Sequence, residues 1–162
     1  KGDETMKLLF KQRFFSWFDS YDIYDEDGTT VYTVKGQLAW GKCLKIFDRQ
    51  GIEIATVQQR VFSWFPTYEV YIGDDYAGCV RKEFSFFHPR FTIDYKGWEI
   101  EGDYFEWDYS IQDRHHTEVA RISKELFHWT DTYSIDVAKS EDALAALMVV
   151  LAIDAANCTH ND

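Results

Sequence analysis

The chain has 162 residues, of which 46% are apolar and 18% aromatic, with two prolines and a formal net charge of -11. That length suits one domain with a sizeable core, and that composition excludes a disordered or low-complexity chain. The charge is uneven, net -2 over Lys1–Ile100 and -9 over Glu101–Asp162, which excludes nucleic acid as the main partner and argues against broad adhesion to anionic membrane, since both rest on clustered cations.

Lys1–Thr5 precede the patterned region and read as a vector remnant ahead of Met6. No apolar run follows Lys7, so no signal peptide is expected. From there an internal repeat dominates, and repeats of this kind decide the fold. Phe15-Ser16-Trp17-Phe18-Asp19-Ser20-Tyr21-Asp22-Ile23 aligns without a gap on Phe62-Ser63-Trp64-Phe65-Pro66-Thr67-Tyr68-Glu69-Val70. Ser85–Ile93 and Phe127–Ile135 are further copies, Leu38–Ile46 and the segment with Phe105, Tyr109 and Ile111 weaker ones. The anchor positions Tyr21, Leu44, Tyr68, Phe91, Tyr109 and Tyr133 lie 23, 24, 23, 18 and 24 residues apart.

Most units then run through an Asp/Gly-rich turn: Asp25–Gly28, Asp48–Gly51, Gly73–Asp75, Lys96-Gly97 and Gln112–His116. Such clusters separate hairpin strands. A short second strand is predicted after each, at Val31–Val34, Ile52–Val57, Tyr76–Val80, Trp98–Ile100 and Val119–Ile122. Period-2 alternation supports strands. It puts Trp64, Pro66, Tyr68, Val70 and Ile72 on one face, and Trp129, Tyr133, Ile135 and Val137 on one face of the last copy. Pro66 and Pro89 occupy one place in their units; proline cannot donate to a ladder, so pairing lapses there. Six units of two strands predict about twelve strands over residues 7–137. A propeller needs ~40 residues per blade, more than these units have.

The end of the chain changes character. Ser140 reads as an N-cap, with Glu141 and Asp142 suiting the positive end of the helix. Every residue from Ala143 to Ile153 is apolar, and a helix apolar all round is buried. A membrane span needs ~20 such residues. Twelve tilted strands close into a ring ~24 Å across, wide enough for a ~10 Å helix inside. The expected fold is therefore mainly β: a closed antiparallel barrel of about twelve strands around a buried C-terminal helix at about 141–157, forming a single domain over 6–158.

The Phe-Ser-Trp-Phe and Trp-Thr-Asp-Thr-Tyr segments, the run Gly102–Tyr109 and the apolar tail Asp142–Asn157 resemble the bacterial LURP-one-related proteins, from Met6 to about Cys158. That family is similar in fold to the C-terminal domain of tubby proteins and to phospholipid scramblases. The resemblance implies a twelve-stranded barrel with a central helix. Tubby domains bind phosphoinositide headgroups and plant relatives are linked to defence, but the basic residues of the tubby site have no residue-by-residue counterparts here.

No catalytic or cofactor motif is present: no Gly-x-Ser-x-Gly, phosphate-binding glycine loop, His-Glu-x-x-His or Cys-x-x-Cys. Cys43, Cys79 and Cys158 are odd in number and far apart, and read as free buried thiols of a reducing cytosol. His115-His116 reads as a solvated turn rather than a metal site. Glu99, Glu101, Asp103, Glu106 and Asp108 read as a solvated acidic face rather than a Ca²⁺ site. Two groups remain as binding candidates. Lys42, Lys45, Arg81, Lys82 and Arg90 would receive an anionic headgroup if bends gathered them, against the plainer reading of scattered solubilising charge. Phe18 and Phe65 would form an exposed aromatic lip, against the plainer reading of packing beneath a loop. The sequence thus reads as a non-enzymatic binding or scaffold module, cytoplasmic or peripheral to a membrane but not spanning it, with an anionic lipid or a protein as partner. Protein interaction without a lipid ligand is the alternative, and scramblase-like lipid handling the remotest one.

Overall fold

A computed structural model describes residues 4–11, 20–87, 89–127 and 130–158. It contains twelve strands: β1 (Met6–Phe10), β2 (Ser20–Tyr24), β3 (Thr30–Ala39), β4 (Gly41–Phe47), β5 (Glu53–Gln59), β6 (Thr67–Ile72), β7 (Asp75–Glu83), β8 (Arg90–Asp94), β9 (Glu99–Asp103), β10 (Asp108–Gln112), β11 (Glu118–Phe127) and β12 (Thr130–Val137). A 3₁₀ turn (Ser140–Asp142) and one helix, α1 (Ala143–Asn157), follow. Each strand predicted after a turn is present.

All twelve strands form one antiparallel sheet in the order β8-β7-β6-β5-β4-β3-β2-β1-β12-β11-β10-β9. The first and last strands meet, from Met6 opposite Val137 to Phe10 opposite Tyr133, so the sheet curls round and is nearly closed. No ladder joins β8 to β9 among the described residues. Those two strands share the turn Tyr95–Trp98 and leave a seam in the wall.

Three turns are built alike. Asp25 Oδ1 accepts from the N–H groups of Asp27 and Thr29, Asp48 Oδ1 from Gln50 and Ile52, and Asp113 Oδ1 from His115 and Thr117. The position two residues ahead of the second strand needs φ > 0, which Gly28 and Gly51 supply without steric cost. His116 takes that place in the third turn, at φ 60°. The His pair is thus part of a hairpin turn, and among the described residues no group of His, Cys, Asp or Glu is placed to hold a metal.

Inward positions of the strands, such as Leu8, Ile23, Val34, Ile46, Val57, Val70, Val80, Ile111, Ile122 and Ile135, make the core together with α1, whose residues are buried from Ala145 through Ala156. The helix lies nearest β5, β6, β7 and β12. It has no apolar stripe because every direction from its axis meets the wall. Its start differs from the sequence reading. Ser140 does not cap it but opens the 3₁₀ turn, with its N–H bonded to the Glu4 carbonyl. Asp142 holds the N-cap place without a side-chain cap, because its carboxylate is turned to Lys96 Nζ at 3.0 Å.

Four of the six anchors, Leu44, Tyr68, Tyr109 and Tyr133, are buried; Tyr21 and Phe91 are half-buried. Three of them, Tyr21, Tyr68 and Tyr109, lie by the last turns of α1. Tyr68 OH donates to the Ala155 carbonyl at 3.2 Å. Burial, and then the charge of Asp154, pushes the Tyr21 and Tyr109 hydroxyls well above the usual tyrosine range. Cys43 and Cys79 are free and buried as expected, while Cys158 is only half-buried at the helix end.

Candidate functional site at the aromatic end of the barrel

In an up-and-down sheet, alternate connections fall at alternate ends. The connections β2–β3, β4–β5, β6–β7, β8–β9 and β10–β11 therefore share one end with the start of α1. That end is polar and acid-rich, with Asp25, Glu26, Asp27, Asp48, Asp74, Asp113, Glu141 and Asp142 in its turns. The other connections share the opposite end with the C-terminus of α1, and they are aromatic: Trp40 after β3, Phe62, Trp64 and Phe65 after β5, Phe84, Phe86 and Phe87 after β7, and Tyr104, Phe105 and Trp107 after β9. Phe18, in the segment between β1 and β2, and Trp129, between β11 and β12, lie outside the described residues.

Some of these rings are core. Trp107 is buried, 4.5 Å from the Tyr133 ring and edge-on to Phe10 at 5.6 Å. Tyr104 packs edge-on against Phe91 at 4.8 Å. Others have no such cover. Trp64 is 100% exposed, Phe62 93%, Phe87 89% and Trp40 86%, and Phe86 is fully in solvent. Phe65 is intermediate in character, 6.0 Å from the Phe84 ring and still partly open. The inward placement of Trp64 is overturned. Strand β6 starts at Thr67, so the alternation has not begun at Trp64, and Pro66 marks where it does. The signal for the exposed rim was in the repeat itself, which places aromatic residues ahead of each anchor and so in every connection of one parity.

The five basic candidates do not converge. Strand alternation sends Lys45, Arg81 and Arg90 outward and Lys42 and Lys82 inward. Lys45 is ion-paired with Glu53. Arg81 lies 3.8 Å from Glu83, which is itself opposite Arg90 in the β7–β8 register. Lys42 is half-buried with its ammonium out of solvent. Lys82 is only 3% exposed, its ammonium 5.5 Å from the centre of the Phe105 ring. Burial lowers its pKa, with Cys158 pulling the other way. The negative end of the α1 dipole points toward this end of the barrel, which favours a cation there. The acidic strand is a solvated face: Gln112 Nε2 donates to Glu101, Arg121 pairs with Asp108 at 2.6 Å, and Asp103 accepts from the Phe105 and Glu106 N–H groups.

A sequence model of the LURP-one-related family matches residues 6–154, which span β1 to the last turn of α1. The chain belongs to the LURP-one-related family. It is also similar to the "Uncharacterized protein YxjI" of Bacillus subtilis (strain 168), with 30% identity over 150 residues, covering 92% of each chain. The family match takes in all twelve strands and most of the helix of this LURP-one-related chain. The name of the Bacillus protein assigns no activity.

Proposed function

We propose that the barrel is a non-enzymatic docking module that seats its aromatic end on a membrane interface. The observation carrying this reading is the set of nearly bare rings, Trp40, Phe62, Trp64, Phe86 and Phe87, on three separate connections at one end of the barrel. An apolar surface of this kind is costly in water and marks an interaction site. Tryptophan and other aromatic rings favour the headgroup level of a bilayer, and tips carried on different loops around one rim meet a flat surface together. The acid-rich opposite end is repelled by anionic lipid and so points away.

The contact is made by the end and not the wall. The outer wall carries Lys45–Glu53 and Arg121–Asp108 pairs on its strands and an Arg60–Glu69 pair from the residue after β5 to β6, which a lipid-facing wall would have to desolvate. Among the described residues no helix is long and apolar enough to cross a membrane. Apolar burial rather than headgroup charge supplies the affinity, because Lys45 and Arg81 are ion-paired, Lys42 and Lys82 are turned inward, and of the five basic candidates only Arg90 is exposed. Full burial of one such ring contributes ~1.5–3 kcal/mol, so losing two half-inserted rings costs about 1.5–3 kcal/mol, or a factor of about 10–150.

Co-sedimentation with phosphatidylcholine vesicles, with and without phosphatidylserine, tests this. The expected result is pelleting on both vesicle types that survives moderate salt, with a blue shift of tryptophan emission. The F86S/F87S variant, whose altered side chains touch no core, should lose most of the binding. Wild-type protein that stays in the supernatant, or a variant that pellets equally well, overturns the proposal.

A further inference from the structure

The end of α1 comes out inside the aromatic rim, and it carries a nucleophile that docking alone leaves unused. The helix lies nearest β5, β6 and β7. The connections after β5 and β7 bear Phe62, Trp64, Phe86 and Phe87, so the residue that closes α1 emerges beside the bare rings. That residue is Cys158, the C-cap, whose N–H donates to the Asp154 carbonyl. Its thiol is free and half-buried, whereas Cys43 and Cys79 are buried in the wall.

Lys82 accompanies it. This lysine turns inward one residue before β7 ends at Glu83, and it is 3% exposed. Among the described residues its side chain has no ion pair and no hydrogen bond; the ammonium lies 5.5 Å from the centre of the Phe105 ring. Cys158 is the one group whose charge acts on it. A buried ammonium without a counter-ion is costly, and a thiolate formed at Cys158 offsets that cost. The same cation opposes the negative end of the helix, which by itself holds a thiol protonated. The pair therefore favours a nucleophilic sulfur at the place where an apolar electrophile arrives from a bilayer.

We propose that Cys158 is a site of S-acylation, taking a fatty acyl group from an acyl-CoA thioester held at the bilayer surface, with Lys82 as a positioning residue. The proposal rests on the docking reading, which brings the donor to the sulfur. Cys158 Sγ gives up its proton and attacks the thioester carbonyl. The Lys82 ammonium steadies the oxyanion. The bond from the acyl carbon to the CoA sulfur then breaks, and CoA leaves as a thiolate that takes up the proton. One thioester replaces another, and nothing is oxidised or reduced. A single acyl chain holds a protein on a membrane only marginally and reversibly, and a second apolar contact makes the anchoring stable. The bare rings supply one contact and the chain the other.

The test incubates the full chain with palmitoyl-CoA on phosphatidylcholine vesicles and, in parallel, with butyryl-CoA in vesicle-free buffer. Intact mass and peptide mapping should show one acyl group, on Cys158, that neutral hydroxylamine removes as it removes a thioester. Cys158→Ser should take none. Lys82→Met, with its fold checked by circular dichroism, should slow both reactions about tenfold at neutral pH and move the pH profile of Cys158 alkylation by iodoacetamide upward by about one pH unit, as loss of a nearby cation does. A lysine with a merely structural role leaves that profile in place, so an unchanged profile overturns the proposal. Acyl groups spread over lysines or over Cys43 and Cys79, or an adduct that resists hydroxylamine, overturn it as well. Protein that sediments with the vesicles and takes no palmitoyl group overturns this proposal alone. Protein that takes butyryl at Cys158 and fails to sediment overturns the docking reading, and with it the bilayer as the source of the donor.

Discussion

The helix in the barrel makes a demand that few helices make: no side of it tolerates truncation. Leu147, Met148, Leu151 and Ile153 are each buried to within 1% of completeness. At 3.6 residues per turn, the last three lie about 100°, 40° and 240° around the axis from Leu147, so together they sample the whole circumference. On a surface helix at least one of these directions would face water, and truncation there would cost under about 0.5 kcal/mol. Within this nearly closed wall, each change to alanine removes buried methylene groups and leaves a cavity that the sheet can only partly close, at about 2–5 kcal/mol. A change of 3 kcal/mol should lower Tm by about 6–12 °C for a chain of this length. Urea unfolding of L147A, M148A, L151A and I153A, followed by far-ultraviolet circular dichroism, gives the four values directly. If any of the four lies within about 0.5 kcal/mol of wild type, that side of α1 is not packed, and the rod-in-barrel arrangement fails.

Two further outcomes follow from single positions. Burial lowers the Lys82 pKa below its ordinary 10.5; the unfolded chain therefore holds this proton over a pH window in which the folded chain has released it, so stability rises with pH between the folded value and 10.5 and is flat below. Lys82→Met keeps the buried stem, should stabilise by about 1 kcal/mol at pH 7, and should abolish that alkaline rise; a variant less stable than wild type with the rise intact shows that the ammonium is not what burial penalises. Gly78 of β7 sits where a Cβ would lie 2.1 Å from the Asp94 carbonyl oxygen. Neither backbone can yield without breaking the β7–β8 ladder, so Gly78→Ala should cost about 1–3 kcal/mol and accelerate hydrogen exchange in β8; unchanged exchange would mean the two strands do not approach this closely.

The hairpin repeat and the apolar tail were legible because both are local. Alternation from Tyr68 to Val70 or Tyr133 to Val137 needs only the neighbouring residues to declare a strand, and Asp48-Arg49-Gln50-Gly51 declares a turn by the conformations its own residues allow. The unbroken run Ala143–Ile153 states that the helix is buried, whatever covers it. The cap was less legible, since Ser140 and Asp142 both suit it and the choice depended on Lys96, 46 residues away in sequence. Misreading Trp64 had the same origin: an aromatic residue before a strand looks like the strand's first inward position until the strand's start is known.

Residue order alone therefore determined the number of strands, the hairpin rhythm and the need to enclose the last helix, because each rests on propensity and periodicity within a few residues. Only the nearly closed ring decided that Phe62, Trp64, Phe86 and Phe87 stand bare together at one end and that the five basic candidates do not meet. It also decided that β8 and β9, joined by one short turn, are the pair left unzipped. These are relations between residues far apart along the chain, and they exist only once curvature has brought the two ends of the sheet face to face.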